Sequence, residues 1–248
     1  MLPILEGVIA RRVLLNFRAD PRVVQRLLPA PLQAQTYDNQ AVVGVCLIRL
    51  EHLRPKGLPS TIGVSSENMA HRVAILYPTD EGLRPGVFIW RRETDQKLIT
   101  LLGGRLFPGV HQKTTFKADE SAASIAMDVR SADGVSDVAF SAQLTAGWNK
   151  HSIFSNFDDA SDFLRQGECG FSCSLQGTRL EGIKLRTLQW KMEPLNVDLK
   201  RVSFFEDQSR FPRGSVEFDC GMIMRGLKHE WHELQDIPEM VPARQTGF

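Results

Sequence analysis

The chain has 248 residues, of which 42% are hydrophobic and 24% are charged, a composition typical of a folded globular protein. A chain of this length can bury a core large enough to enclose a cavity. Its formal net charge is +1, so no strong basic field points to a nucleic-acid partner. We therefore expect a small-molecule partner and no nucleic-acid partner.

The N-terminal stretch MLPILEGV places Pro3 and Glu6 where a secretory signal has a cationic start and a long apolar segment. No apolar run reaches the length of about 18 residues that spans a bilayer. The 4 cysteines follow no disulfide framework. We predict a cytoplasmic protein with reduced thiols and no membrane contact. Residues 1–248 are expected to form a single domain, with a core over about 10–235 and a tail over about 237–248.

Short segments rich in β-branched and aromatic residues, each bounded by turn residues, predict strands along most of the chain. A hairpin turn is predicted at residues 132–135, ADGV. The predicted strands are residues 10–17, 41–50, 71–77, 86–93, 110–118, 124–131, 137–144, 170–175, 186–195, 202–207 and 215–224.

Two short helices are predicted from their capping residues. Residues 21–29, PRVVQRLLP, follow Asp20 as the cap and begin with proline at the first helical position. Residues 155–167 hold the second helix, with Asn156 or Asp158 as the cap.

A third helix is predicted at about residues 95–106, although glycine costs about 1 kcal/mol in a helix interior and this segment contains Gly103 and Gly104. About ten strands with two or three short helices, and no repeats, indicate one mainly-β (α+β) fold.

Motifs for cofactors and metals are absent or weak. Gly103 and Gly104 lack the third glycine of a dinucleotide-binding loop, and no G-x-S-x-G elbow occurs. Cys169 and Cys173 have no matching pair elsewhere in the chain, so packing thiols are favoured over zinc ligands. We predict no cofactor and no bound metal.

Two arginine pairs, Arg11-Arg12 and Arg91-Arg92, lie within predicted strands. Adjacent strand residues point to opposite faces, so each pair is expected to split between the two faces. One arginine of each pair then points inward and needs an acid partner.

Residues 110–118 place His111 and Lys113 on one face of a predicted strand. If that face lines a cavity, it puts an amine beside an imidazole, a combination that suits imine chemistry with a carbonyl compound. A lysine amine has a reference pKa of about 10.4, so only roughly 0.04% is neutral at pH 7. The alternative is an ordinary lysine on an exposed strand face.

Glu67 lies at the entry of the strand in VSSENMAHRVAILY, with His71 and Arg72 close behind. Glu67 and His71 share one face if the segment is extended. A carboxylate turned toward a cavity can orient an amine or act as an acid or base. The alternative is a surface glutamate at a strand entry.

The order of five segments resembles the acetoacetate decarboxylase-like superfamily, and more closely its uncharacterised YqjF-like branch, DUF2071. The resemblance covers roughly residues 10–235 and implies an antiparallel β-barrel or cone with a central cavity and a few peripheral helices. The segments are RLLPAPL, AVVGVCLIRL, SSENMAHRVAIL, GVFIWRRET and LLGGRLFPGVHQK.

The resemblance implies a catalytic site, but this sequence departs from the family pattern at the nucleophile position. In the decarboxylases, the first lysine of GGR-x-x-W-G-x-P-K-K forms an imine with a β-keto acid, helped by a glutamate to which Glu67 is similar. Alignment from residues 103–105 puts Gln112 in the nucleophile position, Lys113 in the second-lysine position and His111 in place of proline. Fold analogy does not transfer function when site residues differ.

Two hypotheses of function follow. In the first, Lys113 forms an imine with a small keto acid or other carbonyl compound, as in a decarboxylase, aldolase or dehydratase, and Glu67 and His111 act as acid, base or orienting groups. Arg105 or Arg72 then holds a substrate carboxylate.

In the second hypothesis, the same cavity binds a small organic ligand without turning it over. Gln112 is a predicted ligand contact in either case. Lys113 turned to solvent favours binding, whereas Lys113 buried near Glu67 favours the enzyme. The resemblance also implies a possible homo-oligomer.

Overall fold

The structure is a computed structural model that describes residues 3–96 and 108–238. The helices are α1 (Pro21–Arg26), α2 (Phe157–Arg165) and α3 (Ser203–Glu206), with a 3-10 turn at Ser60–Ile62. The strands are β1 (Leu5–Ala19), β2 (Gln33–Ala34), β3 (Thr36–Tyr37), β4 (Gln40–Pro55), β5 (Val64–Thr79), β6 (Gly82–Thr94), β7 (His111–Glu120), β8 (Ser124–Ser131), β9 (Val138–Leu144), β10 (Cys169–Cys173), β11 (Arg179–Thr187), β12 (Glu193–Val202), β13 (Val216–Glu233) and β14 (Ile237–Pro238).

The strands join one sheet that closes on itself in two places, where β5 pairs with β6 and β11 pairs with β13. The first circuit runs through β5, β6, β7, β8, β9, β12, β13, β1 and β4. The second circuit runs through β5, β6, β10, β11, β13, β1 and β4. The predicted mainly-β closed sheet is confirmed. The sheet is mixed rather than antiparallel throughout, since β6 pairs in parallel with β7 and with β10.

Strands shared by the two circuits are buried on both faces. In β4, Val43 and Val45 lie in the core of the first circuit, while Val42 and Cys46 lie in the core of the second. A strand buried on both faces reads as a continuous hydrophobic run, which explains the segment AVVGVCLI. Each fully buried valine or leucine contributes about 1.5–3 kcal/mol to folding.

The predicted strand at residues 202–207 is wrong, because Ser203–Glu206 form α3. Strand alternation would send one of two adjacent phenylalanines outward. The helical turn instead buries both, with Phe204 1% and Phe205 5% exposed.

The predicted strand at residues 186–195 is also wrong, because residues 188–192 leave the sheet between β11 and β12. Its two ends belong to different strands. The strand over Arg179–Thr187 was not anticipated, since the segment RLEGIKLRT contains a glycine and mixes charged with apolar residues. The remaining predicted strands are confirmed.

Both capped helices are confirmed. The Asp20 side chain accepts a hydrogen bond from the Arg22 backbone N–H at 2.8 Å and begins α1. Asn156, rather than Asp158, begins α2, since its side chain accepts from the Asp159 backbone N–H at 2.9 Å. A cap of this kind contributes about 1 kcal/mol.

The predicted third helix at about residues 95–106 falls on residues 97–107, which lie outside the described part of the chain. Most of the predicted tail does likewise, from residue 239 onward. None of the helices in the described segments has the length and apolar character needed to cross a membrane.

Candidate functional site

A cavity of about 100 Å³ lies inside the second circuit, between the strands that the two circuits share and the β10–β11 pair. Such a volume exceeds the space of a single water several times over. Most of its wall is apolar, and such a wall suits the carbon skeleton of a small ligand. The branched aliphatic residues of the lining are Ile48, Leu50, Val87, Ile89, Ile183 and Leu185.

Three arginines, Arg12 from β1, Arg72 from β5 and Arg92 from β6, also line this cavity. None of the three forms a salt bridge with any residue of the described segments 3–96 and 108–238. Buried cations are normally paired, because leaving water without a partner is costly. The cavity therefore concentrates positive charge against an apolar wall.

Arg72 is 5% exposed, and its Nη2 donates to Asn16 Oδ1 at 2.8 Å. Its Nε is buried and has no hydrogen-bond partner among the described residues. Burial lowers the pKa of Arg72 to about 10, and the positive charge of Arg12 makes a smaller contribution in the same direction. The guanidinium stays charged at neutral pH and keeps one donor available.

Arg92, on the neighbouring strand β6, also has one nitrogen held by a neighbour and one buried nitrogen without a partner among the described residues. Its Nε donates to Ser172 Oγ at 3.2 Å, while its buried Nη2 has no partner among the described residues. Burial lowers the pKa of Arg92 to about 10. Arg12 Nε donates to Cys46 Sγ at 3.3 Å, and its guanidinium carbon lies 6.0 Å from the centroid of the Trp190 ring.

Two acidic residues, Glu93 and Glu168, are among the lining residues, and the carboxylate of each is paired with a cation other than the three arginines. Glu93 accepts from Arg91 Nε at 2.6 Å. Glu168 lies 3.4 Å from Lys184 Nζ. An organic anion that enters the cavity can therefore accept charge-assisted hydrogen bonds from the three arginines, which have no carboxylate partner among the described residues.

The two arginine pairs of the sequence account for this arrangement. Arg11 Nη2 lies 2.5 Å from Glu67 Oε2 on one face of the sheet, and Arg91 pairs with Glu93 on that face. The predicted acid partners are thus confirmed. The second member of each pair, Arg12 or Arg92, points to the opposite face and reaches the cavity.

A bulge at Trp90 decides which residues of β6 face the cavity. His71 pairs with Arg91 but the next residue, Arg72, pairs with Ile89, so Trp90 is the extra residue. The bulge reverses the alternation along β6. Ile89 before it and Arg92 after it therefore line the same cavity.

His111 begins β7 and lines the cavity beside Arg92, its partner in the parallel pairing of β6 with β7. Burial, and then the positive charge of Arg92, lowers the pKa of His111 to about 3, so its imidazole is neutral at pH 7. Gly109 brings the chain to this position with φ of +80°, and a Cβ there would lie 2.8 Å from Ser172 Cβ. Glycine meets both requirements.

Of the other predicted site residues, Lys113 shares the strand face of His111, as expected, but its side chain is exposed and does not line the cavity. Gln112 is exposed on the other face. Glu67 alternates with Asn68, a lining residue, and so faces away from the cavity. The structure does not bring Glu67 and Lys113 together.

Arg72 and His111 are the predicted site residues that meet at the cavity. Arg105 lies outside the described residues. Sequence reasoning assigned no ligand contact to Arg12 or Arg92. The signal for both was present as an Arg-Arg dipeptide in a predicted strand, since alternation sends the two arginines to opposite faces.

Burial of two histidines predicts a specific acid sensitivity. Burial lowers the pKa of His111 to about 3 and that of His229 to about 4. From about pH 6.5 down to these values, the unfolded chain binds protons that the folded chain does not, so the free energy of unfolding falls as the pH falls. Each group contributes at most about 1.4 kcal/mol per pH unit.

Urea unfolding at about pH 6 and pH 5 measures this effect. The variant His229→Gln has no titrating group at that position, so its stability is expected to fall less between the two pH values than that of the wild type. The same loss in both proteins would contradict the buried neutral state of His229.

Solved structures with similar architecture define the class of fold. An acetoacetate decarboxylase from Legionella pneumophila has a TM-score of 0.62 at 12% identity, over 97% of this chain and 89% of that one. An acetoacetate decarboxylase-like enzyme from Sphingomonas wittichii has a TM-score of 0.56 at 13% identity, over 96% and 91%. The enduracididine biosynthesis enzyme MppR, solved with pyruvate, has a TM-score of 0.61 at 10% identity, over 98% and 91%.

These likenesses show that the chain has an acetoacetate decarboxylase-like fold, as its sequence predicted. The sequence matches DUF2071, described as an uncharacterized conserved protein, over residues 9–215. The chain belongs to the DUF2071 family. No curated protein matches it.

Proposed function

We propose that this protein binds a small organic carboxylate, of the keto acid class, reversibly in the cavity of the second circuit. The observation that carries the proposal is the set of three guanidinium groups, Arg12, Arg72 and Arg92, which face an apolar cavity without a carboxylate partner among the described residues. The 4 free cysteines support a cytoplasmic setting for this binding.

The shape of the cavity supports a ligand with an apolar body and an anionic end. Aliphatic side chains cover the carbon skeleton, while the free N–H groups of Arg72 and Arg92 donate hydrogen bonds to the carboxylate. A hydrogen bond to a charged group contributes about 1.5–3 kcal/mol. The structure of MppR with pyruvate supports the choice of keto acids as the first ligands to test.

Replacing Arg92 with methionine is expected to weaken the binding of keto acids by about 10- to 100-fold, because one charge-assisted contact is lost. Methionine keeps an unbranched side chain in an apolar site. The measurement is calorimetric titration of wild type and variant with a panel of 2-oxo acids that includes pyruvate.

The matched control is Arg84→Met, which removes an exposed arginine from the same strand. This variant is expected to bind with the affinity of the wild type. Equal weakening in both variants, or unchanged binding in Arg92→Met, would remove the cavity as the binding site.

Lysine imine chemistry is the second candidate function. The observation in its favour is that Lys113 lies on the strand face of His111, which lines the cavity. Its exposed side chain supports binding without covalent attachment, since imine formation needs an amine whose proton is easily lost.

Borohydride trapping separates the two candidates. The protein is incubated with keto acids and aldehydes, reduced, and digested to locate adducts by mass. Reversible binding predicts no adduct at Lys113 above the level at Lys117, an exposed lysine on the same strand. A specific adduct at Lys113 that disappears in Lys113→Ala would replace the binding proposal with imine catalysis.

A further inference from the structure

We infer that the ligand of the cavity carries two anionic groups, as a dicarboxylic keto acid does, and this inference rests on the proposed function. The positions of the free donors on Arg72 and Arg92 carry it. Each donor belongs to a different arginine, and each arginine is held in place by a different neighbour.

The first anion position is at Arg72. Asn16 holds Nη2 of this arginine at 2.8 Å, which leaves the buried Nε without a partner among the described residues. Asn16 Nδ2 in turn donates to the backbone oxygen of Cys220 at 3.4 Å. The guanidinium is therefore oriented before any ligand arrives, which reduces the entropy lost on binding.

The second anion position is at Arg92. Ser172 accepts from Nε of this arginine at 3.2 Å, which leaves the buried Nη2 without a partner among the described residues. The neutral imidazole of His111 is adjacent in the sheet. This position belongs to the β6, β7 and β10 side of the cavity, whereas Asn16 orients Arg72 from β1.

The two positions are separated along the sheet. Arg92 pairs with Ala70, which lies two residues before Arg72 on β5. Two residues of a strand span about 6.6 Å, so the backbones that carry the two arginines are offset along the sheet by more than the width of one carboxylate. Ala70 and Cys46, which also line the cavity, lie in the same row of the sheet as Arg92. Two anionic groups joined by a short carbon chain match this pattern.

The charge balance of the cavity also supports a ligand with two anionic groups. The wall contributes three guanidinium groups, while the two acidic residues of its lining, Glu93 and Glu168, pair with Arg91 and Lys184. A monoanion leaves two cations without a counter-charge in a poorly solvated space, and a dianion leaves one. Arg12, which keeps a contact with Cys46 Sγ and with the Trp190 ring, is the remaining cation.

The test compares two ligands that differ in one group. 2-Oxoglutarate and 2-oxopentanoate have the same chain length and the same 2-oxo acid end, but the second has a methyl group in place of the distal carboxylate. Calorimetric titration of the wild type is expected to give at least about tenfold tighter binding of 2-oxoglutarate, the value of one further charge-assisted contact.

Arginine variants show which side chains cause the preference for 2-oxoglutarate. In Arg72→Met and in Arg92→Met, the preference for 2-oxoglutarate is expected to shrink toward unity, and Arg84→Met is expected to keep it. Arg72→Lys and Arg92→Lys retain charge but lose the planar donor set. These lysine variants are titrated with the same two acids if a methionine variant folds poorly.

The outcomes are distinguishable. Equal affinity for the two acids in the wild type, or tighter binding of 2-oxopentanoate, would overturn the dianion inference and leave the proposed carboxylate site standing. A preference that survives in both arginine variants would overturn the assignment of the two positions. Failure of every keto acid to bind would overturn the proposed function, and this inference with it.

Discussion

Replacing Glu67 with leucine is expected to lower the free energy of unfolding by about 3–5 kcal/mol, the usual cost of breaking a buried ion pair by removing one partner. Glu67 lies 2.5 Å from Arg11 Nη2 and 3.3 Å from Arg49 Nη1. The side chain of Arg11 is 3% exposed. Without Glu67, the Arg11 guanidinium keeps only Glu120, at 3.1 Å, among the described carboxylates.

Urea unfolding monitored by circular dichroism measures this loss, and a fall in Tm of roughly 6–20 °C should accompany it. The control Glu51→Leu removes a half-exposed partner of Arg49 and is expected to cost no more than about 1 kcal/mol. The double variant Arg11→Met/Glu67→Leu should recover most of the loss. A loss below about 1 kcal/mol for Glu67→Leu would show that this pair does not stabilise the fold.

Replacing Arg72 with methionine is expected to have the opposite profile, with little effect on folding and a large effect on binding. The substitution removes a buried cation that has no acid partner among the described residues, which favours the folded state. It also leaves Asn16 Oδ1 without its donor at 2.8 Å, which costs about 1–3 kcal/mol. The two effects largely cancel, so stability should change by about 1 kcal/mol or less.

Keto acid binding by Arg72→Met should nevertheless weaken by about 10- to 100-fold, because the ligand loses a charge-assisted contact in a poorly solvated cavity. The measurement pairs urea unfolding with calorimetric titration on the same preparation. A large loss of stability with unchanged affinity would identify Arg72 as a structural arginine instead of a ligand contact.

Sequence reasoning anticipated most strands because burial on both faces leaves a strong signal. The run AVVGVCLI in β4 is one case, since Val43 and Val42 face different cores. The errors arose where local pattern and packing disagree. Phe204 and Phe205 have high β propensity, yet both are buried by the short helix α3.

The site was predicted only in part, because a bulge in a strand changes which of its side chains face the cavity. Trp90 interrupts the pairing of β5 with β6, and this single extra residue decides that Arg92, and not Arg91, faces the cavity. Local sequence does not reveal such a bulge. The cavity also requires β10 to pair with β6 across a long stretch of chain, a non-local contact that no periodicity encodes.

The resemblance to the decarboxylases suggested a catalytic role for Lys113, which lies next to the family's nucleophile position. Strand alternation correctly put Lys113 and His111 on one face. Alternation did not predict how deeply each side chain is buried, since His111 is 8% exposed while Lys113, two residues further along β7, is an exposed residue. Its predicted catalytic role stays a hypothesis that borohydride trapping tests.

The most direct test of an organic anion held by unpaired arginines is calorimetric titration of the wild type and of the double variant Arg72→Met/Arg92→Met with 2-oxoglutarate at pH 7. We predict saturable binding of one ligand per chain by the wild type, and no detectable binding by a double variant that unfolds as cooperatively as the wild type. Equal affinity in the two proteins, or no binding to the wild type, would contradict the assignment of this cavity as an anion site.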